Sequence, residues 1–337
     1  MRPNADLPLL TSLLGFALAA LVLDQWRHRR RSFQLVWGLG LAWYGISAGT
    51  EFLGAFGWNA PLYRFWYLFG ALFVAAYLGA GTIYLLSRTG FGYFAAVAVF
   101  VGGLFAPLSQ ARLIQQGHPT SWTNVWLVIG ASAAAGLAIG YATARHRRQA
   151  AHVAMAVLVA ASVLAAVLVT TAWLAPPGYA LDPRTHVPVG DAVPGYLRVM
   201  TGPFNIAGGL CLIFGAIFSV YVYMPKRRLL RGRLKTPVVA QLYTALAVAV
   251  NLVGSLPAAA AALVSGRLNS RVPATVLIAL GGFIPSVTSG LDRFGVTWSF
   301  YLGQLLGVMF ILAGFLVSEE VFANLRLSIH NGLRART

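Results

Sequence analysis

The chain has 337 residues, 58% of them hydrophobic and only 10% charged, with a mean hydropathy of +0.72. A soluble domain carries about 25% charged residues, so lipid is the expected solvent for most of this exterior. The formal charge of +17 comes from 25 Lys and Arg against 8 Asp and Glu, clustered between apolar runs, a pattern that fits anionic lipid headgroups and excludes a nucleic-acid partner.

Apolar runs follow one another at 7–26, 33–56, 62–86, 91–108, 122–144, 150–174, 200–224, 238–265, 272–288 and 296–317. About 20 residues span a bilayer. The predicted fold class is therefore all-α: a polytopic transmembrane helical bundle of about ten spans, the whole chain being one integral membrane domain. Within it, 1–224 forms a seven-span part. A basic loop at 225–237 leads to three further apolar segments over 238–317 and an amphipathic tail over 318–337. The first run lacks a basic flank and a small-residue cleavage site before it continues, so it reads as a retained span.

Orientation follows from the arginines. RHRRR at 27–31, RHRRQ at 145–149 and KRRLLRGRLK at 226–235 share one side if the runs alternate. The positive-inside rule makes that side cytoplasmic and the N-terminus extracytoplasmic. The Pro- and Gly-rich connection 175–199 then lies outside. Ten spans also place the tail outside, although it carries Arg326, Arg334 and Arg336. Reading 272–288 as re-entrant gives nine spans and a cytoplasmic tail. Lys226 and Lys235 are the only lysines, an arginine bias that fits a GC-rich bacterial genome and a bacterial cytoplasmic membrane. Every tryptophan except Trp43 lies within about a turn of a predicted boundary, as an interfacial aromatic belt requires.

Trp43, Ser47 and Glu51 fall at i, i+4 and i+8 of the second run and share one helical face, with Tyr44 beside it. Apart from Asp24, at the arginine-flanked end of the first run, Glu51 is the one carboxylate placed within a span, where ionisable groups are costly and face a cavity or a partner. Arg64 opens the third run near the same boundary, with Tyr67 one turn on. Two readings follow: an outward-opening ligand pocket formed by Trp43, Tyr44, Ser47, Glu51, Arg64 and Tyr67, or a Glu51–Arg64 pair that pins the hairpin. Gly45 and Gly49 form a GxxxG on roughly the opposite face, a surface for close packing within the chain, with a second copy or with a complex partner.

Helix-breaking residues are the second feature. GGLFAP holds Gly102, Gly103 and Pro107; GGFIP holds Gly281, Gly282 and Pro285. In a five-plus-five division these are the fourth helices of two inverted halves, and matched interruptions point to transporter binding sites. Asn251, followed by Pro257, interrupts the eighth run at mid-depth. Asn251, Asn205 and Gln304 also serve as interhelical amides. No metalloprotease, phosphate-loop or nucleophile-elbow motif occurs, so no catalytic residue, metal or cofactor is predicted. His186 with Asp182 and Asp191 reads as part of a solvated loop. In the tail, Val317, Val321, Leu325 and Ile329 repeat at i, i+4 as an amphipathic continuation.

Three segments carry a resemblance: RRRSFQLVWGLGLAWYGISAGTEF at 29–52, RFWYLFGALF at 64–73 and HRRQAAHV at 146–153. In layout, residues 1–235 resemble the seven-helix N-terminal sensor module of bacterial histidine kinases. Three more apolar runs follow residue 235 where that family places an output domain, so the resemblance implies only a ligand-sensing helical bundle. The predicted function is transport of a small organic molecule or lipid. The alternatives are a receptor-like sensing module and a non-catalytic subunit of a membrane complex.

Overall fold

The computed structural model describes residues 3–117, 119–174, 192–225, 229–230, 237–265, 268–269, 271–292 and 299–317. The loop with His186, Asp182 and Asp191, most of the basic segment 226–235 and the amphipathic tail lie outside the described residues. Among those described there is helix and no strand. Each apolar run is helical: α1 (Pro3–Arg29), α2 (Ser32–Gly54), α3 (Ala60–Leu85), α4 (Phe91–Gln115), α5 (Trp122–Arg145), α6 (Arg147–Thr171), α7 (Gly195–Tyr223), α8 (Pro237–Val264), α9 (Arg271–Asp292) and α10 (Ser299–Val317).

Seven of these, α1, α3, α4, α5, α6, α7 and α10, are long and apolar enough to cross a membrane. The chain is thus a helical, multi-pass membrane protein. Its outer surface agrees: Trp126, Leu127 and Leu137 of α5 and Val163, Leu164 and Val167 of α6 are exposed, an apolar area that lipid accommodates and water does not. α2 has the length but is diluted by Gly, Ser, Thr, Trp, Tyr and Glu51. It lies instead between α1 and α3, and nearly half its residues are buried.

Two compact units are present: Met1–Gly215 with Gly281–Met309, and Ala216–Leu280 with Phe310–Thr337. In the first, α1 and α2 form a hairpin turned at Arg30, whose φ of 52° lets the chain reverse after the Arg30 N–H donates to the Trp26 carbonyl. The Gly45–Gly49 face is covered by α1: a Cβ on Gly15 would come within 3.1 Å of Gly45, and the Ser12 hydroxyl donates to the Gly45 carbonyl at 2.8 Å. Small residues let the backbones approach this closely.

α3 is the most buried of the membrane-crossing helices. α2 packs on it antiparallel, with Ser47 against Gly70, Leu78 against Gly40 and the Trp37 indole N–H on the Leu78 carbonyl at 3.0 Å. α7 runs parallel to α3: Asn205 donates to the Ala71 carbonyl at 2.6 Å, Gly208 meets Ala75 and Gly79, and Gly215 meets Thr82. α4 and α5 pack against each other as an antiparallel pair, Gly103 on Ser132 and Gly92 on Thr143.

α9 and α10 form an antiparallel pair by the same device. Gly303 faces Thr288, and Gly307 faces the Pro285 ring and the Gly281 carbonyl. Pro285 has no N–H for that carbonyl, four residues back. The close Gly307 backbone covers it, and α9 continues unbroken through Gly281, Gly282 and Pro285. α8 likewise runs unbroken through Pro257. Neither of these two interruptions expected from the sequence breaks its helix. α4 does change at Phe105, between Phe91–Leu104 and Ala106–Gln115, with Pro107 in the first turn of the second piece. Gly102 there abuts Gly202 and Pro203 of α7.

Alternation over ten crossings would start α10 at the end where Arg30 lies. The contacts differ. Gly282 packs on Leu212 of α7, and Gln304 near the start of α10 reaches the last turn of α2. α10 therefore begins at the end opposite Arg30. The nine-span reading, with 272–288 re-entrant, starts α10 at that end; hydropathy reports the length and apolarity of a run, not its direction among neighbours.

In the second unit, Asn251 acts as a clamp. Its Oδ1 accepts from the Leu229 and Leu230 N–H groups at 2.7 and 2.9 Å, and Leu229 lies against Gly254. Gly314 of α10 packs on the Ala274 carbonyl and Ile278 of α9.

Candidate functional site

The sharpest site lies at the end of the first unit opposite Arg30, where α2, α3 and α10 meet. Its centre is Glu51, which is 1% exposed. One carboxylate oxygen, Oε1, accepts two hydrogen bonds: from the Trp66 indole N–H at 2.9 Å and from the Gln304 side-chain amide at 3.0 Å. The other, Oε2, is buried with no hydrogen-bond partner. The Tyr44 hydroxyl donates to the Gln304 main-chain carbonyl at 2.8 Å, so Gln304 is held to α2 at two points.

α3 presents Trp66 from an unusual backbone. Trp66–Phe73 is π-helical, a wide turn that is rare and frequent at functional sites. The stretch opens two turns after Asn59, which caps the helix by accepting from the Leu62 N–H at 2.9 Å. Within and beside it, Phe65, Phe69, Phe73 and Tyr77 form a ladder with successive ring centroids 5.8 Å apart. Trp43 lies on that ladder, stacked on Phe69 at 4.8 Å and touching Phe73 and Tyr77 at 6.1 and 6.0 Å. Its indole Nε1 is buried without a partner. Ser47, one turn away, turns instead against Gly70.

The six candidate residues divide as follows. Trp43, Tyr44, Ser47 and Glu51 share the α2 surface that faces α3 and α10, and Tyr67 is buried beside Trp66. Arg64 does not pair with Glu51. Its guanidinium donates to the Thr170 and Ala172 carbonyls at the end of α6, the latter at 2.8 Å. Those carbonyls are orphaned by the helix end and carry its negative dipole, which suits a cation. The Glu51–Arg64 hairpin pin is thus replaced by an α3–α6 pin. An ion pair of another kind joins His28 and Asp24 at 3.7 Å near the Arg30 turn.

Of the helix-break residues, Gly281, Gly282 and Pro285 lie on α9 behind the α10 face that carries Gln304. Gly102, Gly103 and Pro107 belong to the contacts of α4, and Asn251 and Pro257 to the second unit. Sequence reasoning named Gln304 only as packing glue, and missed the Phe69–Phe73–Tyr77 wall, whose i, i+4, i+8 spacing was the available signal. Among the described residues no three His, Cys, Asp or Glu side chains converge on a common metal position.

No family model, no curated protein and no solved structure matches the chain.

Proposed function

We propose that this protein transports a small organic molecule of a cationic or amphiphilic kind across a bacterial cytoplasmic membrane, with the Glu51 face as its binding site. The observation that carries the reading is the junction itself. A buried carboxylate from the second helix is held by an amide from the last helix, so an ionisable group within a span, a mark of substrate pathways, lies where distant parts of the chain meet. One bare carboxylate oxygen supplies a charge, and the Trp43–Phe69–Phe73–Tyr77 wall supplies aromatic faces. Together they suit a lipophilic cation.

The topology that accompanies this reading has nine crossings. The arginines of 318–337 then share a side with RHRRR. That arrangement satisfies the positive-inside rule where ten crossings do not. The Glu51 site then faces the extracytoplasmic leaflet.

A sensing role is the second reading. Glu51 and Trp66, joined by a hydrogen bond, both lie in the segments that resemble the histidine-kinase sensor module. Uptake of tetraphenylphosphonium into proteoliposomes separates the two. Transport predicts saturable uptake by the wild type and at least tenfold slower uptake by Trp43→Ala and Glu51→Gln. Saturable binding without uptake removes transport and favours sensing.

A further inference from the structure

The Glu51 carboxyl group raises a question of chemistry that ligand binding alone does not answer: what satisfies Oε2 when no ligand is present. The oxygen is sealed inside the protein and has no donor beside it. An ionised carboxylate in apolar surroundings must be neutralised or paired. The surrounding groups offer no pairing. From α2 come Tyr44 and Ser47, the first committed to Gln304 and the second packed on Gly70. From α3 come Tyr63, Trp66 and Tyr67, with Arg64 committed to the carbonyls of α6. From α10 comes Gln304, and among the side chains described in the first turn of α1 the charged one is the acidic Asp6. No Lys, Arg or His among the described residues lies within ion-pair distance of Glu51.

We infer that Glu51 is a proton-binding site coupled to the α2–α10 contact: Oε2 carries a proton while Trp66 and Gln304 hold Oε1, and releases it to water when α10 parts from α2. The simplest occupant of a buried oxygen with no hydrogen-bond donor is a proton. Release leaves a carboxylate that can take the charge of an organic cation, so one proton leaves for each monovalent cation that binds. The exchange is electrically neutral. This use of the proton rests on the transport reading; the proton's presence does not.

The test uses the full chain in lipid nanodiscs at neutral pH. Infrared spectra of wild type and Glu51→Gln are compared in H2O and D2O. The variant keeps an oxygen for Trp66 and Gln304 and an uncharged second atom, so the fold is retained. The expected result is a protonated-carboxyl C=O band in the wild type that the variant lacks and that shifts in D2O. Superimposable spectra overturn the inference, as does a band that never shifts. Tetraphenylphosphonium binding is then measured against pH. Competition with one proton raises its apparent affinity with pH, by up to about tenfold per unit, and Glu51→Gln abolishes the slope. Binding that is independent of pH overturns the exchange. A carboxyl band without any uptake of the probe leaves the proton site standing and removes the transport reading; uptake without the band does the reverse.

Discussion

The α3–α7 contact gives a sharp packing prediction. A Cβ on Gly208 would lie 2.3 Å from the Ala75 carbonyl carbon and oxygen and 2.6 Å from the Ala76 nitrogen. Optimal carbon contacts are near 3.5 Å, so the two helices must part by about 1 Å. Backbone cannot turn aside as a side chain can. Overpacking of this kind costs about 1–3 kcal/mol. The parting also strains the Asn205 bond to the Ala71 carbonyl one turn away, for about 1 kcal/mol more. Gly209, the next residue, has nothing within 4 Å of its Cβ position. Gly208→Ala and Gly209→Ala gain the same helix propensity, about 1 kcal/mol, so the difference between them isolates the contact. The expected difference is about 2–4 kcal/mol, read by reversible unfolding in lipid nanodiscs. Equal stabilities for the two variants would refute the close approach of α3 and α7.

Other outcomes follow from the same geometry. Arg64→Ala removes two charge-assisted bonds to the end of α6 and lowers stability by about 1–3 kcal/mol. In a double-mutant cycle with Glu51→Gln the effects add, because the two residues do not pair; a coupling above about 0.5 kcal/mol contradicts the assignment. Trp43→Ala costs about 3–5 kcal/mol by emptying the aromatic wall, whereas Trp43→Phe costs less than about 1.5 kcal/mol, since the lost indole N–H has no partner. With Cys211→Ala as background, Thr185→Cys is labelled by an impermeant thiol reagent in intact cells, while Leu230→Cys and His330→Cys are labelled only after permeabilisation. Labelling of His330→Cys in intact cells restores ten crossings and removes nine.

Much of the scaffold was legible because membrane helices need only length and apolarity, and every apolar run is helical. α2 shows the limit of that signal. Its Gly45–Gly49 stripe announced a close contact, which α1 fills from within the chain, but its composition hides it among crossing helices. The direction of α10 stayed open between the ten-span and nine-span readings, because it depends on Gln304 meeting Glu51 and Gly307 meeting Pro285, contacts that hydropathy does not encode. Apart from Asp24, Glu51 stood out as the lone acid in a span. Its partners did not: Arg64, near in sequence, is drawn away by the carbonyls of α6, and Gln304 lies 253 residues distant. The π-helical stretch at Trp66–Phe73 has no compositional mark at all, yet it aims Trp66 at Glu51.

Equilibrium binding of tetraphenylphosphonium to the purified chain in nanodiscs, wild type beside Glu51→Gln, tests the central claim most directly. The account predicts saturable binding by the wild type, weakened at least tenfold by loss of the buried Glu51 carboxylate. Equal affinity in the two proteins would contradict it.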